Sequence, residues 1–322
     1  MTDMGDLRTF LGLEINRDRE KRTLQLSQRR YIEKILDLHE MRNSHWAGTP
    51  ADPHIRLEKS RKDFEATPIK GQRYQCAIGP LMYTMLGTRP DIAYPVSKVS
   101  QYSSNPNSTY WIGVKRIFRD LGGTLEFGLC YKLSEPGNGF TDADWGSGED
   151  RRSIGGIGFV LGSAAISWSS KKQSTVTLSA TEAEYMASTQ AVKESIWLQA
   201  ILVDLGAKRQ VEMVQHICVD NQGALALAKN PQFHARTKDI DIQYHSVREH
   251  VQNTQIAHTY CPTADMTADI FTNALPQLAF VKHHRSLGLV DYSVPLKQSG
   301  LDEQIDSNEE DSDASACEGR CC

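Results

Sequence analysis

The sequence of 322 residues has no apolar run approaching the roughly 20 residues of a membrane-crossing helix. Its opening, "MTDMGDLRTF", lacks the basic segment followed by an apolar one that marks a secretory signal. Closely spaced cysteines are absent from most of the chain. Cys76, Cys130, Cys218 and Cys261 stand far apart, so neither a zinc ligand set nor a disulfide framework is indicated, and a reducing, intracellular setting is expected. No internal repeat is present. The stretch from Leu301 onward has no aromatic residue and little apolar content, which excludes a packed core there. It holds eight acidic residues and one basic one, and so accounts for more than the whole net charge of −4; the remainder of the chain sums to +3.

What is present fits a globular protein. Hydrophobic residues make up 39% and charged residues 24%, and the length suffices for two domains of ordinary size. Residues 1–135 alternate strands, helices and polar loops. "FLGLEI" and "RTLQLS" read as strands around the turn "RDREK". "YQCAIGPLMYTMLGTRPDIAYPVSKVSQYSSNP" reads as two helices broken near "GTRPD". "STYWIGVKRIFRDLGGT" is an amphipathic helix with Trp111, Val114, Ile117 and Phe118 on one face. Residues 136–290 have a tighter order. "GFTDADWG", "SIGGIGFVLG" and "AAISWSSKK" form a three-strand meander. A helix from about Thr181 to Leu205 follows, with no proline or glycine inside it. "VQHICVD" and "IAHTYCP" are a fourth and a fifth strand, each followed by a helix, "NQGALALAKNP" and "ADMTADIFTNAL". The order βββαβαβα predicts a mixed five-stranded sheet flanked by helices, in the α/β class. Residues 291–322 are expected to form an acidic, disordered tail.

Four carboxylates fall at the ends of these elements, where mixed α/β sheets gather functional groups: Asp142, Glu184, Asp220 and Asp269. Each has a simpler role when taken singly. Asp142 and Asp144 can be turn residues; Thr181 and Glu184 can form a capping box; Asp220 can cap the next helix; Asp269 can lie on a solvated face. Meeting at one place, four carboxylates repel one another unless cations neutralise them. Hard divalent ions take oxygen ligands, and two held about 3.5–4 Å apart can clamp an in-line phosphodiester displacement.

At these residues the sequence resembles the C-terminal part of the Pol polyprotein of copia-type long-terminal-repeat retrotransposons. The stretches that carry the resemblance are "TDADWGSGEDRRSIGGIGFVLG", "ISWSSKKQSTVTLSATEAEYMAS", "VDNQGALALAKNP", "HARTKDIDIQYHSVRE" and "TADIFTNAL". The resemblance implies a ribonuclease H-like domain at 136–290. Before it, "MGDLRTFLGLEI", "IGPLMYTMLGTRPDIAYPVSKVS" and "GVKRIFRDLGGT" resemble the last part of a reverse transcriptase, which implies an α+β remnant at 1–135. By motif, the ribonuclease H site falls on Asp142, Glu184, Asp220 and Asp269 as catalytic metal ligands. Within "TEAEY" the choice lies between Glu182 and Glu184, and "EYMAS" favours Glu184. Asp241 is a second candidate for the fourth position, and Asp144 is expected just behind Asp142. The implied cofactor is a pair of Mg²⁺ ions, with Mn²⁺ able to substitute.

The implied activity is metal-dependent hydrolysis of the RNA strand of an RNA–DNA hybrid, in the cytoplasm within a virus-like particle or in the nucleus. The implied partners are the hybrid and other Pol segments such as the rest of the reverse transcriptase, with no membrane and no small-molecule cofactor. Phosphate contacts are expected from Lys115, Arg116, Arg151, Arg152, Lys171, Lys172, Arg236 and Lys238. The Tyr-Val-Asp-Asp motif of a polymerase is absent, so no DNA synthesis is expected; in the family this motif precedes "MGDLRTFLGLEI". Some positions depart from the family pattern. Asp239 stands where histidine is frequent, Asn273 where lysine is frequent, and "RDLGGT" replaces a more basic form. These losses of positive charge motivate an alternative, a non-catalytic nucleic-acid-binding remnant of a decayed transposon. A third reading is an interaction module working through the acidic tail.

Overall fold

The computed structural model describes residues 5–55, 57, 67–132, 137–146, 150–229, 249–251, 253 and 255–293. The tail beyond 293, and Arg236, Lys238, Asp239 and Asp241, lie outside the described residues. The protein is mixed α/β, with helices around two five-stranded sheets.

The first sheet is antiparallel. Its strands are β1 (Thr9–Phe10), β2 (Leu13–Asp18), β3 (Thr23–Ser27), β4 (Phe127–Lys132) and β10 (Leu289–Asp291), side by side in that order. Helices α1 (Arg29–Leu38), α2 (Pro68–Gly87), α3 (Ala93–Ser100) and α4 (Ser108–Gly123) build its companion core. On α1, Ile32, Ile35 and Leu36 repeat at the three-and-four spacing of one helix face, and all are buried. On α4, Val114, Ile117, Phe118 and Leu121 do the same, and Asn107 caps its start by accepting from the Tyr110 amide. The break expected at "GTRPD" lies between α2 and α3. Pro90 forces Arg89 out of the helical region, to φ −122° and ψ 70°.

The second sheet consists of β5 (Asn138–Asp144), β6 (Ile154–Leu161), β7 (Ala164–Lys172), β8 (His216–Val219) and β9 (Ala257–Tyr260), ordered β7-β6-β5-β8-β9. The meander β5–β6–β7 is antiparallel, whereas β8 pairs parallel to β5 and β9 parallel to β8. Helix α5 (Ala180–Asp204) lies against β5 and β6, followed by α6 (Lys208–Gln215) and α7 (Gln222–Lys229). The opposite face of the sheet receives a 3₁₀ turn, Thr267–Phe271. There an α-helix was expected over "ADMTADIFTNAL". Met266 is extended (ψ 96°) and splits the segment into two 3₁₀ pieces, Thr263–Asp265 and Thr267–Phe271. Packing favours the tighter form. A Cβ built on Gly156 would stand 2.8 Å from Cβ of Phe271 and 2.8 Å from Cγ2 of Thr272, so bare backbone at 156 lets the turn press onto β6.

The two sheets are joined. The last helix α8 (Gln277–Ser286) returns the chain so that Leu287 accepts from the Ala165 amide, and Gly288 accepts from the Cys130 amide. One apolar cluster contains Ala93 and Leu129 together with Ala164, Ile270, Phe271 and Leu289.

Candidate functional site

The ladder between β5 and β8 ends at Phe140 and Cys218. Past that pair the strands part, and Asp142 on β5 and Asp220 just after β8 stand on either side of the opening. This is also where the sheet changes sense, with an antiparallel neighbour of β5 on one side and a parallel one on the other. A crevice at such a switch point is where open α/β sheets place ligands. Glu184 enters from the second turn of α5. One carboxylate oxygen from each of Asp142, Glu184 and Asp220 lies within 4.8 Å of the others. Asp142 and Glu184 are 5% and 6% exposed, so their charges are held out of water.

The 3₁₀ turn completes the site from the opposite face. Asp269 shares a hydrogen bond with the Asp142 carboxyl, and the Thr272 hydroxyl donates to Asp142. The Thr263 hydroxyl donates to Asp220 Oδ2 at 2.9 Å. The sequence alone does not single out Thr263 or Thr272, although Thr272 lies within the quoted "TADIFTNAL" and Thr263 just before "ADMTADIFTNAL"; a threonine within a few residues of a candidate acid is the available signal. The electrostatics follow from crowding. Burial, then the charges of Asp142 and Asp220, push Glu184 up to about 9 and Asp269 up to about 8. Burial also raises Asp142, against the opposing effect of the Thr272 hydroxyl. Glu184 Oε2 is buried with no hydrogen-bond partner.

The neighbouring Glu182 has another role. Ser179 Oγ accepts from the Glu182 amide at 3.2 Å, and Glu182 Oε2 accepts from the Leu178 amide at 2.7 Å. The cap of α5 is therefore Ser179 with Glu182, not Thr181 with Glu184. Asp144, two residues past Asp142 on the same strand face, looks toward Tyr94 and Lys98 of α3.

Over 285 residues the sequence is 41% identical to the retrovirus-related Pol polyprotein from transposon TNT 1-94 of Nicotiana tabacum; the match takes in 87% of this chain and 21% of that protein. The polyprotein from transposon RE2 of Arabidopsis thaliana is 36% identical over 301 residues, 92% of this chain and 20% of that protein. The chain belongs to the retrovirus-related Pol polyproteins of copia-type transposons. It spans about a fifth of the length of these Pol relatives. A shorter relative, secreted RxLR effector protein 161 of Plasmopara viticola, is 44% identical over 133 residues, 40% of this chain and 94% of that protein. No protein-family model matches the chain, and no solved structure matches it significantly.

The cations expected to hold phosphate in this Pol segment separate into groups. Arg151, Arg152 and Lys171 are exposed near the ends of β6 and β7. Lys172 pairs with Asp150 at 2.8 Å, and Arg152 approaches the same carboxylate at 3.9 Å. Lys115 is exposed on α4. Arg116 is a correction. It pairs with Asp52 at 2.9 Å and donates from Nε to the Thr49 carbonyl at 3.0 Å, so it pins the loop before α2 and is committed within the fold.

Proposed function

We propose that this Pol segment carries a ribonuclease H-like nuclease site that hydrolyses the RNA strand of RNA–DNA hybrids. The observation that carries the reading is the convergence of Asp142, Glu184 and Asp220 oxygens within 4.8 Å at the switch point of the mixed sheet. Supporting it are the meander-first strand order and the turn that delivers Asp269. A buried, all-oxygen donor set with an orphaned Glu184 oxygen fits hard divalent cations, Mg²⁺ or Mn²⁺. When bound, such ions activate a water and stabilise the leaving oxygen of a phosphodiester.

The chain's own residues prepare that chemistry. Asp142, Glu184 and Asp220 supply the ligands, and Asp269 extends the set on the turn side. Thr272 and Thr263 fix the orientation of the Asp142 and Asp220 carboxylates. A hybrid is distinguished from a DNA duplex by the 2′-hydroxyls of one strand. The test is cleavage of a labelled hybrid with Mg²⁺ or Mn²⁺. Wild-type protein should cut the RNA strand, and Asp142→Asn should lose at least about 100-fold in rate, the scale of removing a key transition-state contact. Absence of divalent-dependent cutting by the wild type, with binding of the hybrid retained, would instead support the non-catalytic remnant. That second reading draws on Asn273, an uncharged residue next to Thr272.

A further inference from the structure

Between α3, α4 and the loop before α2 on one side, and the ends of β5, β6 and β7 on the other, lies a cleft of about 650 Å³. Its walls reach the acidic cluster at two points. Asp144 lines it and stands about 7 Å along the strand from Asp142, on the same face. Asn273 lines it and directly follows Thr272, the donor to Asp142. The helical side is apolar and aromatic, including Tyr94, Tyr102 and Pro95.

The charges facing this space are unbalanced. Arg116 is neutralised by Asp52, and Lys172 by Asp150, at 2.9 and 2.8 Å. Lys98, half-buried on α3, forms no ion pair among the described residues. Asp144 and, more weakly, Asp150 attract it across the cleft, while Lys172 repels it, and neither carboxylate is in ion-pair contact with it. A lysine withdrawn from water without a carboxylate in contact is costly unless an anion completes it. The position is specific: the ammonium looks into a cleft whose far wall begins one residue pair from the acidic cluster.

We propose that this cleft is a backbone-binding groove for nucleic acid, in which Lys98 contacts a phosphate next to the scissile position while the apolar wall takes the adjoining sugar and base. The inference rests on the nuclease reading above and deepens it: the segment before β5 supplies part of the substrate surface of the second sheet. A cation over an apolar wall suits a phosphodiester, whose charge is local and whose sugar is weakly polar.

The experiment measures affinity of the full chain for a fluorescent RNA–DNA hybrid over a salt series, with Ca²⁺ in place of Mg²⁺ so that no strand is cut. Wild type, Lys98→Ala and Lys98→Arg are compared, with melting temperatures alongside. Lys98→Ala should bind roughly ten-fold more weakly, the scale of one charge-assisted contact. Its slope of log affinity against log salt should fall by about 1, the signature of one lost phosphate. Lys98→Arg should restore both, and neither variant should melt lower. Equal affinity and slope for wild type and Lys98→Ala overturns the groove and leaves the nuclease reading standing. A weaker Lys98→Ala with an unchanged slope and a lower melting temperature also overturns it, because the role is then structural. No hybrid binding by the wild type overturns both.

Discussion

Glu182 and Glu184 are two residues apart on one helix and do unrelated work. Both are buried, so exposure does not separate them; their partners do. Glu182 closes the helix start against backbone amides, whereas Glu184 faces two other carboxylates and has an oxygen with no donor. Glu184→Gln should therefore abolish divalent-dependent cleavage with the fold intact. Glu182→Gln should retain most activity, because its amide oxygen can still accept from Leu178, whereas Glu182→Ala should cost about 0.5–2 kcal/mol of stability, the range for a lost cap. A paired nuclease assay with thermal melts checks this, and the opposite pattern refutes the assignment. The acidic cluster also sets a pH dependence. Glu184 moves from an ordinary value of 4.5 to about 9 in the fold, and Asp269 from 3.8 to about 8. A raised folded value means the native state binds the proton more tightly than the unfolded chain does. That stabilisation is complete below about pH 4 and is lost as pH climbs through 8 and 9. In EDTA the melting temperature should fall between pH 5 and pH 9. Glu184→Gln should flatten the fall, and Mg²⁺ should raise the wild-type value most at the alkaline end. Calorimetry showing a rise with pH in EDTA would contradict this account.

The 3₁₀ turn Thr267–Phe271 shows how an element can be decided by what it packs on. "ADMTADIFTNAL" has the composition of a helix, and its apolar Ile270 and Phe271 are buried as a helix face would be. Against the glycine face of β6, the tighter turn brings Thr272 and Asp269 to Asp142. A side chain at 156 removes that approach. Gly156→Val should displace the turn, lower the cleavage rate at least ten-fold, and cost about 1–3 kcal/mol, as overpacking does. Full activity with an unchanged melting temperature would show that the turn does not depend on this contact. Helix α5, by contrast, was legible from sequence to within one residue at each end. Its cap, its lack of proline and glycine, and Gly206 after it are local signals that packing did not override.

At the scale of the molecule, the second sheet does not own its whole core. Ala93 and Leu129 come from the segment before residue 136, and β10 from the end of the chain pairs with β4. Arg89, fully buried, binds Asp91 at 2.7 Å, and His284 of α8, lowered to about 4 by burial, stands 3.6 Å from the same carboxylate, so α8 packs against the segment before β5. Expressed from residue 137 onward, the chain should expose this shared core and leave β10 without a partner. Limited proteolysis should then cut it at least ten-fold faster than the full chain, the range in which a population shift of about 1.4 kcal/mol shows. Equal resistance would show that the second sheet folds by itself.

The sequence alone determined the family, the two strand–helix series and the long helix, and it marked the four acids as candidates, because these rest on local periodicity, capping residues and motifs. It chose Glu184 over Glu182 by motif, and only the tertiary structure gives the physical difference between them: Glu182 accepts from the Leu178 amide, whereas Glu184 lies beside Asp142 and Asp220. It missed β4 and β10: a short strand such as "FGLCYK" is specified by partners far away in the chain, not by its own pattern. It placed Arg116 on a phosphate, because a guanidinium's partner is chosen by the loop that folds against it. It passed over Lys98, one charge within "YPVSKVS" until the chain closes and α3 faces the strand that carries Asp142 and Asp144. Those assignments belong to tertiary structure, where burial and the nearest opposite charge decide what each side chain can do.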